Sequence, residues 1–327
     1  MAWQQIIART KAGYMNKVQS VLRIIGSVLG ISILIYQAYY SLNAIQTQEV
    51  QLFSYSDFGL GIFVIIIAIG LHYCAWNILM RGFMIKVPLL DGFRGFILSY
   101  IARYIPGTIW GYLNRNEWLS MEYNVPHRIS FWGSICEIGL SVLASITMVG
   151  IQKLFQTNQI FNKWLYTLLL ILLPIFSWFF VKFIVKLRFF KHWLPESEYL
   201  MKFYSWKNWF ITLAMLVGTW LLYGAMVHLC LQAFGISTLD LFKEGTIIQL
   251  SGIFSISWLA GFIIVLLPSG LGVRELTLAA LLPTIMPVSH SQAVAVSVAS
   301  RLITILAELI LVAIFGFSSI VKKVHHY

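Results

Sequence analysis

The chain has 327 residues, 59% of them hydrophobic and only 11% charged, with a mean hydropathy of +0.81. Soluble domains carry about 25% charged residues, so a water-soluble globular protein is excluded and an integral membrane protein is expected. The formal net charge of +11 reads as basic loops that hold the cytoplasmic ends of spans against anionic lipid, and no nucleic-acid surface is expected.

Long runs of Leu, Ile, Val, Phe and Trp predict helices, because a membrane barrel would show short alternating segments. Residues 1–18 carry Arg9, Lys11 and Lys17 and are expected on the cytoplasmic face, followed by an uncleaved first span from about Val21 to Leu42. The next loop has Glu49 and Asp57 without a basic residue, which suits the outside. A second span, about Gly59 to Met80, returns to Arg81, Lys86 and Arg94.

Segment 95–113 contains Arg103-Tyr104-Ile105-Pro106-Gly107-Thr108-Ile109-Trp110, where Pro106 and Gly107 should break the helix. Arg115, Glu117, Glu122 and Arg128 follow, then spans from about Ile129 to Ile151 and Trp164 to Val185. The loop from Lys186 to Lys207 is the most basic connection and belongs inside. It falls there only if segment 95–113 enters and leaves on the cytoplasmic side, so a re-entrant segment is expected.

Spans of about Trp209 to Phe234 and Ile247 to Leu267 come next. A second break, Pro268-Ser269-Gly270-Leu271-Gly272-Val273-Arg274-Glu275, interrupts what would otherwise be one apolar helix. A short piece at Leu276–Leu282, a turn with Pro283 and Pro287, and a long helix from about Gln292 to Ile320 complete the chain. The expected fold is all-α: a polytopic helical membrane protein with broken or re-entrant helices, forming one transmembrane domain over 1–327 without a soluble catalytic domain. Pro106 and Pro268 stand close to half a chain length apart. Each is followed at a similar distance by an intramembrane charge, Glu137 or Arg301, which suggests two structural repeats.

A charge in the centre of a membrane helix costs about 2.5–3.5 kcal/mol, so Glu137, Arg274, Glu275, Arg301 and Glu308 need a reason. Charge pairing is one: Arg301 and Glu308 lie seven residues apart on one helix face, and Arg274 could meet Glu137. Arg103 and Arg115 flank the first break and could snorkel to the interface. Taken together, arginines beside helix breaks read as a site for phosphate or carboxylate, held by guanidinium forks and helix N-terminal amides. His72 and His228 read as packing or interhelical hydrogen-bonding residues, and the tryptophans, such as Trp193, Trp206 and Trp209, mainly as interfacial anchors. Cys74, Cys136 and Cys230 show neither zinc spacing nor pairing, Gly270-x-Gly272 is not a dinucleotide fingerprint, and no catalytic triad or Walker motif occurs. No cofactor, no metal and no enzymatic activity are expected.

The second break resembles the Pro-Gly-Gly-Leu-Gly-x-Arg-Glu signature of the lysylphosphatidylglycerol synthase transmembrane-region family, the flippase-like domain proteins, with Ser269 in place of the first glycine. The first break is similar to that family's Arg-Tyr-x-Pro-Gly-x-x-Trp stretch, with Thr108 where a basic residue is common. Glu137 and Arg301 fall where the family places intramembrane charges. The resemblance implies a lipid-binding or lipid-moving unit of a bacterial or archaeal inner membrane, lacking the soluble domain that carries aminoacyl transfer. The expected function is a flippase-like protein that binds an anionic lipid head group, phospholipid or polyprenyl-phosphate-linked sugar, and moves it between leaflets. A membrane transferase acting on a lipid-linked sugar, and a non-transporting partner in envelope-polymer synthesis, stay open as alternatives, as does a homo-oligomer. The expected head-group residues are Arg103, Tyr104, Pro106, Gly107, Arg115, Glu137, Pro268, Gly270, Gly272, Arg274, Glu275, Arg301 and Glu308.

Overall fold

A computed structural model describes residue 39 and residues 53–104, 110–186, 205–236, 245–264 and 268–324. All of the expected first span except Tyr39, most of the basic loop, and Pro106 and Gly107 lie outside the described residues. The described chain is all-α. Its helices are α1 (Tyr55–Gly82), α2 (Leu89–Ala102), α3 (Trp110–Tyr123), α4 (His127–Gln156), α5 (Ile160–Lys186), α6 (Trp206–Ala233), α7 (Thr246–Ile263), α8 (Val273–Leu281) and α9 (His290–Val324). Six of these are long and apolar enough to cross a membrane, so the protein is multi-pass.

The helix limits follow local chemistry. Helix α1 starts at Ser54, whose hydroxyl oxygen accepts the Asp57 N–H at 3.4 Å. Helix α4 starts straight after Pro126, which stands at the N-cap with an extended ψ of 129° and has no backbone N–H to leave unpaired there. Helix α7 ends at Ile263, sooner than the apolar run ends, because the chain turns at Pro268–Gly270.

Segment 95–113 is not one helix but parts of two. Helices α2 and α3 have 14 residues each, about 21 Å at 1.5 Å per residue, and neither crosses a core of about 30 Å alone. They pack on each other, and α2 also packs on α9. After the second break α8 has only nine residues and is held between α7 and α9. The element order therefore repeats: α2, break, short α3, long α4; then α7, break, short α8, long α9.

The core forms where α1 packs along α6 and where α4 and α6 pack on α7. Trp76, Phe83, Phe96, Leu140, Met148 and Met226 fill it, each less than 2% exposed. Small residues allow the close crossings: a Cβ on Gly252 of α7 would lie 2.1 Å from the Gln152 side chain of α4. Helix α5 is peripheral and turns Phe161, Trp164, Phe176 and Phe183 outward, as a lipid-facing helix does.

Candidate functional site

The second break is built on backbone contact. Ser269, Gly270 and Gly272 have φ of 51°, 68° and 84°, all in the left-handed half of conformational space. Ser269 thus occupies such a position with a side chain. A Cβ on Gly270 would lie 2.8 Å from the Gly261 Cα, so the turn sits directly on the α7 backbone. On Gly261, in turn, a Cβ would lie 2.5 Å from the Arg274 Cγ. Gly261 is therefore enclosed by the turn and by the Arg274 stem, and this fixes where the guanidinium emerges, 5.8 Å from the Trp258 ring centre.

The first break uses a similar device. A Cβ on Gly111 of α3 would lie 2.7 Å from the Arg103 Cγ and 2.8 Å from the Ser99 carbonyl oxygen. The Arg103 guanidinium stacks 3.5 Å from the Tyr100 ring centre.

The charged groups do pair, but not in the combinations weighed from the sequence. Arg103 Nη2 donates to Glu308 Oε1 at 2.7 Å, and the Tyr104 hydroxyl donates to Glu308 Oε2 at 2.9 Å. Arg115 Nη2 donates to Glu137 Oε2, while His72 Nε2 lies 3.3 Å from Glu137 Oε1. Arg301 Nε faces Glu275 Oε1 at 3.5 Å. Neither Arg301–Glu308 nor Arg274–Glu137 forms, because each carboxylate is taken by a nearer cation from another element. Arg115 does not snorkel either; it is 3% exposed and fully inside the bundle.

Glu275 has a second task. Its Oε2 accepts the Gly272 N–H at 2.7 Å, closing the N-terminus of α8. That amide is therefore not offered to a ligand, contrary to the idea of an open helix terminus.

These side chains meet at one cavity that is open to its surroundings, with about 890 Å³ of space counted out through its mouth. Arg103, Arg274, Glu275, Arg301 and Glu308 line it, with an aromatic wall of Trp220, Tyr223, Phe254 and Trp258 and a hydroxyl-rich wall that includes Ser297, Ser300 and Thr304. A smaller cavity shares His72, Tyr100, Arg103 and Tyr112 with it and reaches Arg115 and Glu137. With the His72 imidazole counted as neutral, four arginines against three glutamates leave a charge of +1 at the joined site. The surplus is Arg274: it has no carboxylate within salt-bridge distance among the described residues, and its Nε makes no hydrogen bond. Arg301 Nε and Nη2 also make none, although Arg301 is only 7% exposed. Buried donors of this kind are costly unless something accepts from them.

Of the expected residues, Tyr104 acts through Glu308, Gly270 and Gly272 shape the turn, and Pro268 begins it. The aromatic and hydroxyl walls were not anticipated. Trp220 and Trp258 line the cavity, and Trp209 is 5% exposed with its Nε1 donating to Ser177 Oγ. The hydroxyl wall had a readable signal, since Ser297, Ser300, Arg301, Thr304 and Glu308 recur at helical spacing on one face of α9.

The family model for the lysylphosphatidylglycerol synthase TM region matches residues 23–312. No curated protein and no solved structure matches the chain.

Proposed function

The chain belongs to the lysylphosphatidylglycerol synthase TM-region family, and from that premise we propose that it binds the anionic head group of a lipid in the arginine-lined cavity and moves it between leaflets. The observation that carries this reading is Arg274, a guanidinium placed by a helix break in a cavity with surplus positive charge and no carboxylate of its own. A phosphate oxygen is the natural acceptor, and each charge-assisted hydrogen bond to it is worth about 1.5–3 kcal/mol. Arg301, with two unbonded donors, supplies the second arm. The helix breaks support passage of a polar head through the bundle while acyl or prenyl chains stay in lipid.

In this reading the protein is a transporter without enzymatic activity, set in the plasma membrane with its N-terminus cytoplasmic. The test is reconstitution of the purified protein into vesicles that contain a head-group-labelled phospholipid or prenyl phosphate. An impermeant quencher should reach label from both leaflets when protein is present, and only the outer leaflet in empty vesicles. Quenching confined to the outer leaflet in both samples would overturn the transport claim.

A further inference from the structure

The cavity has a donor pole and an acceptor pole. Hydroxyls can donate once and accept twice, so the direction of each O–H decides what is left for a ligand. Thr219 Oγ1 donates to the Met215 carbonyl at 3.0 Å, Ser297 Oγ to Val294 at 2.8 Å, Ser300 Oγ to Ser297 at 2.7 Å and Thr304 Oγ1 to Ser300 at 2.8 Å. Such back-bonding satisfies hydroxyls inside apolar helices. Its consequence at this site is that four cavity-lining oxygens have spent their protons and present lone pairs only. The arginines, by contrast, only donate.

A bare phosphate would engage the donor pole alone and leave the lone pairs of these hydroxyls unused by the ligand. A ligand that engages both poles carries hydrogen-bond donors beyond its phosphate, either hydroxyls or an ammonium. Charge separates these. The joined site sums to +1, which one phosphodiester brings to zero. A lysyl ester would add two ammonium groups and leave uncompensated positive charge in a buried cavity, a large cost. An uncharged polyol adds none. Tyr223 and Phe254, stacked at 4.9 Å and 12°, give the same cavity a flat apolar surface for the C–H face of a ring.

Resting on the phosphate-lipid reading above, we propose that this site selects an uncharged, hydroxyl-bearing head group on a single phosphodiester, of the glycosyl-phosphoprenol or polyol-phospholipid kind, and discriminates against aminoacylated lipid. The hydroxyls of the head group donate to Ser297, Ser300 and Thr304 while the phosphate meets Arg274 and Arg301.

The test is competition binding on the full chain in nanodiscs. The four probes are a hexosyl-phosphoprenol, phosphatidylglycerol, lysyl-phosphatidylglycerol and the bare prenyl phosphate. Hexosyl-phosphoprenol is expected to bind tightest, at least about tenfold more tightly than the lysyl lipid, with phosphatidylglycerol between them as the acyclic polyol. Thr304→Val combined with Ser300→Ala should lower the ratio of hexosyl-lipid to bare-phosphate affinity roughly tenfold, and Thr304→Ser should keep it. Binding of phosphate lipids with the lysyl form equal or preferred overturns this inference alone, as does an unchanged ratio in the double variant. Failure of every phosphate lipid to bind overturns the head-group reading and this inference with it.

Discussion

Arg103 donates to Glu308 across 205 positions of sequence, at 2.7 Å, and so ties the end of α2 at the first break to the last long helix. The Arg103 side chain is 29% exposed and that of Glu308 8%, so the pair is shielded but not sealed. Glu308→Gln should destabilise the protein by about 2–3 kcal/mol, below the 3–5 kcal/mol of a fully buried pair. Adding Arg103→Gln should restore much of the loss. Thermal unfolding in detergent measures both, and a double variant no more stable than Glu308→Gln would show that the pair does not act as a unit.

Arg115 and Glu137 form the more deeply buried pair, with side chains 3% and 4% exposed. Arg115→Gln leaves the carboxylate with the His72 imidazole on its opposite oxygen. The expected loss is about 3–5 kcal/mol, more than for Glu308→Gln. Unfolding midpoints of the two variants, measured side by side, give the order.

Arg301 and Glu275 separate ligand binding from pairing. Arg301→Gln should lose phosphate-lipid binding and some stability, because Glu275 then lacks its cation. Adding Glu308→Gln cannot compensate, since Glu308 belongs to Arg103. Adding Glu275→Gln should recover stability, because a glutamine oxygen still accepts the Gly272 N–H, while binding stays lost. Recovery of both together would reduce Arg301 to a structural cation.

Gly270 tests the break. Its φ of 68° and the 2.8 Å approach of an added Cβ to the Gly261 backbone both oppose a side chain. Gly270→Ala should cost about 1–3 kcal/mol and weaken phosphate-lipid binding, because pushing the turn off α7 also moves the base on which Arg274 rests. Unchanged stability would mean that the turn tolerates a shift the geometry forbids.

The spans from α1 to α9 were legible because apolar run length and flanking charge act locally. Pro268 with Gly270 and Gly272 marked the second break for the same reason, and the family motif lies on it. The pairing of charges was not legible. Arg301 and Glu308 do share a face of α9, but that face looks into a cavity where Glu275 and Arg103 arrive from other elements. Trp220 and Trp258 carry no sequence mark that separates a cavity wall from an interfacial anchor, since both uses need an amphipathic ring near a helix end or a polar pocket. Pro106 and Gly107 marked the break between α2 and α3, but α3 was not legible as a helix because Trp110–Tyr123 is too polar to stand out as an apolar run.

Arg274→Gln tests the head-group site most directly, with Arg274→Lys as the charge-keeping control. Arg274 has no carboxylate partner among the described residues, so removing its charge leaves no anion stranded. Thermal unfolding and prenyl-phosphate binding are measured on the same purified samples. An unfolding midpoint equal to or above that of the unsubstituted protein, with binding weakened at least about tenfold and partly kept by lysine, is the predicted result. Unchanged binding in Arg274→Gln, whatever the stability, would contradict a phosphate site at this arginine.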